Sequence, residues 1–148
     1  MDSISTYAKT FLGVSQGSRR HKLIVDRYNQ IKPLPRGYRV KYTDNWCATF
    51  VSFVLYSCGC TKNLYECSAE RLRKIFVKSK LEVNKDKGVK ECIIWYDWDN
   101  NNWADHVGII TAVDKKYYYV IEGNKNRRVE MRTIKKSSKA IFTIAKIR

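Results

Sequence analysis

The hydrophobic positions follow a helical period in the first half of the chain and a strand period in the second half. Apolar residues three and four apart predict helices over residues 2–12, 19–31, 46–58 and from 68 onward. Alternating apolar residues then predict strands over 91–95, 106–113, 117–122, 127–134 and 140–147. Helices followed by consecutive strands favour an α+β fold in which N-terminal helices pack on an antiparallel β-sheet.

Two helices carry more specific expectations. The first should be capped by Asp2 or Ser3. In the second, one stripe of side chains is predicted to be buried: Leu23, Ile24, Tyr28 and Ile31. His21 lies in the first turns of this helix among Arg19, Arg20 and Lys22, and this setting predicts a solvated surface histidine.

The third helix begins with a polar turn and carries Cys47 in its first turn. Asp44 or Asn45 is expected to accept hydrogen bonds from the first unpaired backbone amides of the helix, as good N-cap residues do. The positive end of the helix dipole and a nearby imidazole both favour a thiolate over a thiol. Cys47 is therefore a candidate nucleophile, provided that a histidine comes near it.

The strands over 106–113 and 117–122 are joined by a short turn, which predicts a hairpin with Val113 opposite Tyr117. This register places four residues on one face, since residues of equal parity share a face: His106, Gly108, Glu122 and Asn124. Glu122 is then a diagonal neighbour of His106, and Gly108 has no side chain to block the contact. A carboxylate on one ring nitrogen would leave the other nitrogen free to face a thiol.

The length of 148 residues suits one domain, residues 1–148, and no segment is long and apolar enough to span a membrane. The N-terminus has no signal-peptide pattern, so we expect synthesis in a cytoplasm and delivery by other means if the protein acts outside. The five cysteines do not suit a disulfide framework. Four of them are expected to be small core residues or bystanders: Cys58, Cys60, Cys67 and Cys92.

We expect no cofactor and no metal ion. The two histidines of the chain, His21 and His106, make a zinc site hard to assemble. The segment Asp97-x-Asp99-x-Asn101 resembles the start of a calcium loop, but it lacks the later glycine and the closing glutamate. Trp98 and Trp103 in the same segment would either line a groove or pack against the core.

A net charge of +15 requires anionic surroundings. Nucleic acid, an anionic bacterial wall and a membrane surface would each provide such surroundings. The alternative explanation of the charge is a soluble lysine-rich protein without a specific partner. Nine lysines and arginines lie from Lys125 onward, where the only acidic residue is Glu130. This tail would either hold anionic polymers or form a solvated sheet face.

Three short blocks resemble the signature blocks of the CHAP domain, the cysteine, histidine-dependent amidohydrolases and peptidases: Trp46–Val51, His106–Ile110 and Ile121–Asn124. The resemblance implies a papain-like fold. It also implies that Cys47 is the nucleophile, that His106 is the general base, that Glu122 orients the imidazole and that Asn124 completes the site. Family members commonly carry Gly-Asp before the histidine block, whereas this chain has Lys90-Glu91-Cys92.

CHAP domains are common in phage and prophage lysins and in bacterial wall hydrolases, so the resemblance implies cleavage of an amide bond in peptidoglycan. The enzyme would be an endopeptidase or an N-acetylmuramoyl-L-alanine amidase acting at the wall after release, injection or virion attachment. Anionic wall polymers are a further expected partner, whereas nucleic acid and membrane insertion are not expected. One alternative is a catalytically silent basic module that binds an anionic wall polymer or nucleic acid. Others are a thiol enzyme of the same fold that acts on another amide or thioester, and a delivered interbacterial toxin of the same fold.

Overall fold

The computed structural model describes residues 3–59 and 62–148. Its helices span Ile4–Lys9 (α1), Arg19–Tyr28 (α2), Cys47–Cys58 (α3) and Ala69–Lys78 (α4), and a short 3-10 turn spans Pro35–Gly37. Ser3, Ser18 and Ser68 cap α1, α2 and α4, because each hydroxyl accepts a hydrogen bond from a backbone amide of the first turn. Within the described ranges, no helix has the length and apolar character needed to cross a membrane.

The helices begin close to the predicted positions, but the first two end earlier than predicted. The alternative cap of α1, Asp2, and one of the expected bystander cysteines, Cys60, lie outside the described residues. In the stripe predicted for the second helix, Ile24, Tyr28 and Ile31 are buried, whereas Leu23 is 41% exposed. The end of α3 is as predicted, since Gly59 follows it in the left-handed conformation that glycine adopts without strain.

His21 is buried, so the prediction of a solvated histidine is wrong. Its ring lies 4.6 Å from the ring of Trp46, and its Nδ1 accepts a hydrogen bond from the Gly17 amide at 3.0 Å. Burial and the charge of Lys22 lower the pKa of His21, which favours the neutral imidazole. The basic residues next to His21 in the sequence lie on the outer face of α2, whereas His21 lies on the face that packs toward α3.

The strands span Glu82–Val83 (β1), Ile93–Tyr96 (β2), His106–Val113 (β3), Tyr117–Lys125 (β4), Arg128–Lys135 (β5) and Ile141–Ala145 (β6). They form one antiparallel sheet in the order β1-β6-β2-β3-β4-β5. This confirms the predicted α+β architecture. The short strand β1 was not predicted, because two residues are too few to show an alternation.

The predicted register of the β3–β4 hairpin holds toward the open end and fails toward the turn. Ile109 lies opposite Ile121, as predicted, but Val113 pairs with Tyr118 and not with Tyr117. A β-bulge on β3 between these two pairs causes the difference, since it adds one residue to β3 without a partner on β4. Because the bulge lies on the turn side, it does not alter the register at the ends of the strands that carry His106 and Glu122.

Helix α3 packs so closely on the sheet that one strand position must be glycine. A Cβ atom on Gly123 of β4 would lie 2.5 Å from Cβ of Phe50 in α3, a distance that real Cβ atoms do not tolerate. The first nine residues of α3, from Cys47 to Leu55, are all buried. The helix is therefore a central element of the core, and its N-terminus is held beside the ends of β3 and β4.

Candidate active site

Cys47 is the first residue of α3, and it is 2% exposed. Trp46 occupies the N-cap position itself, but Asn45 accepts a hydrogen bond from the first amide of the helix, as predicted for Asp44 or Asn45. Both polar residues are still used in this turn. Asn45 Oδ1 accepts a hydrogen bond from the Cys47 amide at 3.2 Å, and Asp44 accepts one from the Lys41 amide at 2.8 Å. The thiol therefore lies at the positive end of the helix, inside a braced turn.

His106 is the first residue of β3, and it is bonded on two sides. Its Nε2 lies 2.9 Å from Oε1 of Glu122, and the Cys47 side chain lies close enough to the ring to interact with it electrostatically. Because Nε2 is engaged by the carboxylate, Nδ1 is the nitrogen left to face the sulfur. Burial by itself lowers the pKa of His106, but the hydrogen bonds and charges of Cys47 and Glu122 outweigh burial and raise this pKa to about 9.

Glu122 has no exposed surface, and three side chains donate to its carboxylate. Besides His106 at Oε1, the Tyr96 hydroxyl and Arg132 Nε each donate to Oε2 at 2.8 Å. Burial alone would raise the pKa of Glu122, but the hydrogen bonds and charges of His106 and Arg132 lower it below its ordinary value. A buried carboxylate stays ionised only with such partners, so these donors are the reason that Glu122 can act as an anion here.

The side chains around Glu122 also fix the imidazole plane by stacking. The ring of Tyr96 lies nearly parallel to that of His106, at 19° and 6.1 Å between centroids, and it stacks on Trp98 at 15° and 4.7 Å. The Arg132 guanidinium lies over both aromatic partners, 5.3 Å from the centre of the Tyr96 ring and 4.8 Å from that of Trp98. These contacts restrict rotation of His106 away from the line between Glu122 and Cys47.

Asn124 takes a different place from its three predicted companions. Its Nδ2 donates to Asn45 Oδ1 at 3.0 Å, the same oxygen that accepts the Cys47 amide. Asn124 has φ 58°, a left-handed conformation that asparagine adopts more readily than most residues. The structure thus brings Cys47, His106 and Glu122 together directly, and it brings Asn124 to the turn that carries Cys47.

Two residues of this network were missed by the sequence-based reasoning, Tyr96 and Arg132. Tyr96 lies directly opposite His106 in the β2–β3 pairing, but the predicted strand ended one residue earlier, at Trp95. Arg132 of β5 lies opposite Val120 of β4, which makes Arg132 the diagonal neighbour of Glu122. The alternation of side chains along β2, extended by one residue, could have indicated that Tyr96 belongs to this network. The register of β5 depends on an irregularity in the β4–β5 pairing between Glu122 and Lys125, which the pattern does not reveal.

A cavity of about 280 Å³ opens beside Cys47. Its walls come from the turn before α3, the start of α4 and the segment before β3: Asn45, Cys47, Cys67, Ser68, Ala69, Glu70, Trp103, Ala104 and Asp105. Trp103 is 51% exposed and forms the large aromatic part of this wall. The cavity gives a substrate access to one side of the sulfur.

The segment that was compared with a calcium loop is held by its own carboxylates. Asp97 accepts the backbone amides of Asn101 and Asn102 at 3.2 and 2.8 Å, and Asp105 accepts that of Trp98 at 2.7 Å. In the described ranges, no group of three or more histidine, cysteine or acidic side chains is placed to hold a metal ion. Amide donors and a cation compete for the same oxygens, so the Asp97 carboxylate serves here to shape the loop.

Residues 37–124 match the family model of the CHAP domain, over more than half of the chain. The chain belongs to the CHAP family. Members of this family are cysteine, histidine-dependent amidohydrolase or peptidase domains. No protein in a search of curated proteins gives a significant match. The matched segment contains Cys47, His106, Glu122 and Asn124 together.

The CHAP match ends before β5, so Arg132 comes from outside the matched segment. Helices α1 and α2 also lie outside the match. Helix α1 is tied to the sheet by Glu91, whose two carboxylate oxygens accept the backbone amides of Ile4 and Ser5 at 3.1 and 2.9 Å. Glu91 is part of the stretch that departs from the usual Gly-Asp of CHAP domains, and here it anchors an N-terminal helix.

Proposed function

We propose that this CHAP domain hydrolyses an amide bond of bacterial peptidoglycan through a thiol mechanism with an acyl-enzyme intermediate. The observation that carries the proposal is the arrangement of Glu122, His106 and Cys47: the carboxylate bonds to the imidazole, and the imidazole interacts with a thiol at a helix N-terminus. This order of carboxylate, imidazole and thiol is what thiol acyl transfer requires. Family membership supports the choice of peptidoglycan as the substrate.

In the proposed reaction, His106 takes the proton of the Cys47 thiol and the sulfur attacks the carbonyl carbon of the scissile amide. The imidazolium then gives that proton to the departing nitrogen, the C–N bond breaks and a thioester remains. A water molecule, deprotonated by the same imidazole, attacks the thioester, and the thiolate leaves. Glu122 stays ionised throughout and stabilises the imidazolium that forms twice in each turnover.

The oxyanion of each tetrahedral intermediate needs donors near the sulfur. The Cys47 amide is one candidate, and in this structure it donates a hydrogen bond to Asn45 Oδ1 at 3.2 Å. Since Asn45 Oδ1 also accepts from Asn124, the Asn45 carboxamide is oriented with its NH₂ group away from these two donors. We propose that Asn124 acts by positioning Asn45, and that the Cys47 amide turns to the oxyanion when the substrate carbonyl arrives.

The test is digestion of purified Gram-positive and Gram-negative peptidoglycan under reducing conditions, followed by mass spectrometry of the fragments. New free amino groups with intact stems would identify an endopeptidase, and stems freed from muramic acid would identify an amidase. We expect Cys47→Ala and His106→Ala each to abolish release while the fold is retained, and Cys58→Ala to leave release unchanged. A native protein that releases nothing from any wall type would refute the proposal and favour a silent binding module.

The proposed place of action is the bacterial cell wall. A phage or prophage lysin and a delivered antibacterial toxin would use the same chemistry. They differ in the route that brings the enzyme to the wall: release, injection or virion attachment for a lysin, and a secretion machine for a toxin. Expression of the wild-type chain and of Cys47→Ala in the cytoplasm and in the periplasm of a test bacterium separates wall cleavage from other toxicity. Wall hydrolysis predicts lysis only when the wild-type protein reaches the periplasm.

A further inference from the structure

A cluster of four lysines lies at the end of the sheet remote from the candidate active site. Lys115 and Lys116 form the turn between β3 and β4, and Lys135 and Lys136 lie at the end of β5. The two segments are joined by a hydrogen bond from the Lys136 amide to the Lys116 carbonyl at 2.9 Å. Together with Ser137, the four lysines line a depression of about 350 Å³. We call these four residues the lysine tip.

The positive charge of the lysine tip is offset only in part by the residues around it, since Asp114 is the one carboxylate found to interact with it among the described residues. None of its four ammonium groups takes part in the salt bridges found among the described residues. Asp114, beside the turn, interacts with Lys136 and accepts hydrogen bonds from the backbone amides of Lys116 and Tyr117 and from the hydroxyl of Tyr119. One carboxylate against four lysines leaves the tip with a net positive charge. Holding four like charges around one depression costs electrostatic free energy, which an anionic ligand would offset.

The position of the tip separates it from the site of chemistry. Strand β3 begins with His106 and ends at Val113, next to the tip, so the strand holds the two sites apart by its whole length. At about 3.3 Å per residue this length is roughly 23 Å. A ligand on the tip would therefore leave the sulfur and the cavity beside it open.

We propose that the lysine tip binds a phosphodiester-bearing anionic polymer of the bacterial cell wall and holds the enzyme on its substrate. Four lysine ammonium groups act as point charges that suit repeated phosphates without reading bases or sugars. The depression has no aromatic side chain among its lining residues on which a nucleobase would stack. The choice of a wall polymer over nucleic acid rests on the proposed wall hydrolysis.

The test measures binding of the full-length chain to cell walls that carry phosphate polymers, to the same walls stripped of them, and to duplex DNA. The tip variant is Lys115→Gln, Lys116→Gln, Lys135→Gln and Lys136→Gln combined. The matched control removes the same charge from four exposed lysines elsewhere, Lys9, Lys32, Lys78 and Lys90. Cosedimentation over a range of NaCl concentrations gives the affinity and its salt dependence.

We expect the wild-type protein to bind phosphate-bearing walls at least about tenfold more tightly than stripped walls, with an affinity that falls as salt rises. The tip variant should lose most of this difference, and the control variant should keep it within a factor of about three. Equal losses in the two variants would overturn the proposal, because net charge and not the tip would then be responsible. Tighter binding of DNA than of walls would overturn the choice of ligand.

Cleavage is measured separately on stripped walls, so that failure of the binding proposal is distinguishable from failure of the proposed function. There the tip variant should release fragments at the wild-type rate, since the tip does not touch the reacting atoms. A wild-type protein that binds phosphate-bearing walls but cleaves nothing would refute wall hydrolysis and leave the tip as a binding site.

Discussion

Replacing Arg132 with methionine tests whether the candidate site depends on a residue that lies outside the CHAP match. Arg132 Nε donates to Oε2 of the fully buried Glu122 at 2.8 Å, and the Arg132 side chain is 26% exposed. The substitution keeps most of the apolar stem but removes the guanidinium that lies over Tyr96 and Trp98, and its charge with it. It thus leaves a buried carboxylate with two of its three side-chain donors.

Removing one partner of a buried ion pair costs about 3–5 kcal/mol of unfolding free energy. Because Arg132 is partly exposed and Glu122 keeps two donors, we expect a loss of about 2 kcal/mol. Without the arginine the pKa of Glu122 rises, since Arg132 is one of the groups that lower it. Arg132 also holds Oε2 of Glu122, so without it the carboxylate is fixed less firmly against His106 and stabilises the imidazolium less. We therefore expect kcat/KM for wall cleavage to fall by roughly 10–100-fold.

The decisive assay needs no wall substrate. The rate of alkylation of Cys47 by iodoacetamide is followed against pH, with the site of modification checked by peptide mass spectrometry. Weaker support of the imidazolium by Glu122 lowers the pKa of His106, so the pH of half-maximal alkylation should move upward in Arg132→Met. Arg132→Lys keeps the charge but not the planar donor fork, so its pH of half-maximal alkylation should lie between those of the wild type and Arg132→Met.

The matched control is Arg128→Met, an exposed arginine of the same strand. It should leave both the alkylation profile and wall cleavage unchanged. If Arg132→Met lowers stability but leaves the alkylation profile at the wild-type pH, Arg132 stabilises the fold alone and the reasoning about Glu122 is refuted. A profile that moves equally in Arg128→Met would assign the effect to net charge.

Three further predictions follow from single contacts. Gly108→Ala should abolish wall cleavage in a protein that still folds at low temperature, because the new Cβ would lie 2.7 Å from Cγ of Glu122; activity and thermal melting check this. Asn124→Ala should lower kcat several-fold without moving the pH profile of Cys47 alkylation, since Asn124 bonds to Asn45 and not to the imidazole. The pKa of His106 is raised to about 9, so the stability it contributes is fully present below its unfolded value of about 6.5 and is lost as pH rises toward 9. The stability difference between wild type and His106→Gln, measured by urea unfolding, should therefore shrink between pH 6.5 and 9.

The sequence was sufficient to predict the contacts that depend on one hairpin. His106 and Glu122 lie on adjacent strands joined by a short turn, so alternation and turn length give their relation with few assumptions. Even the bulge in β3 did not disturb this relation, since it lies on the turn side of the pair. Cys47 was predicted from its place at a helix start, and no local pattern could give its approach to His106. That approach depends on the packing of α3 against β4, where Gly123 lies against Phe50.

The errors arise where burial and register are set by distant parts of the chain. His21 was predicted to be solvated because its neighbours along the chain are basic, yet the packing of α2 beside Trp46 buries it. Arg132 was treated as one charge among nine in a basic tail. Its role follows from an irregularity between Glu122 and Lys125 that sets which residues of β5 lie diagonal to the carboxylate.

The two basic features of the C-terminal half therefore have opposite relations to the candidate site. Arg132 turns inward and is engaged by a buried carboxylate, so its charge serves the imidazole and is largely withdrawn from the surface. The lysines of the tip have no such partner among the described residues, and their charges remain available to an external anion. A change at Arg132 should consequently alter chemistry with little effect on the salt dependence of wall binding, and neutralising the tip should do the reverse. A variant at either place that moved both properties together would show that catalysis and attachment are coupled through β4 and β5.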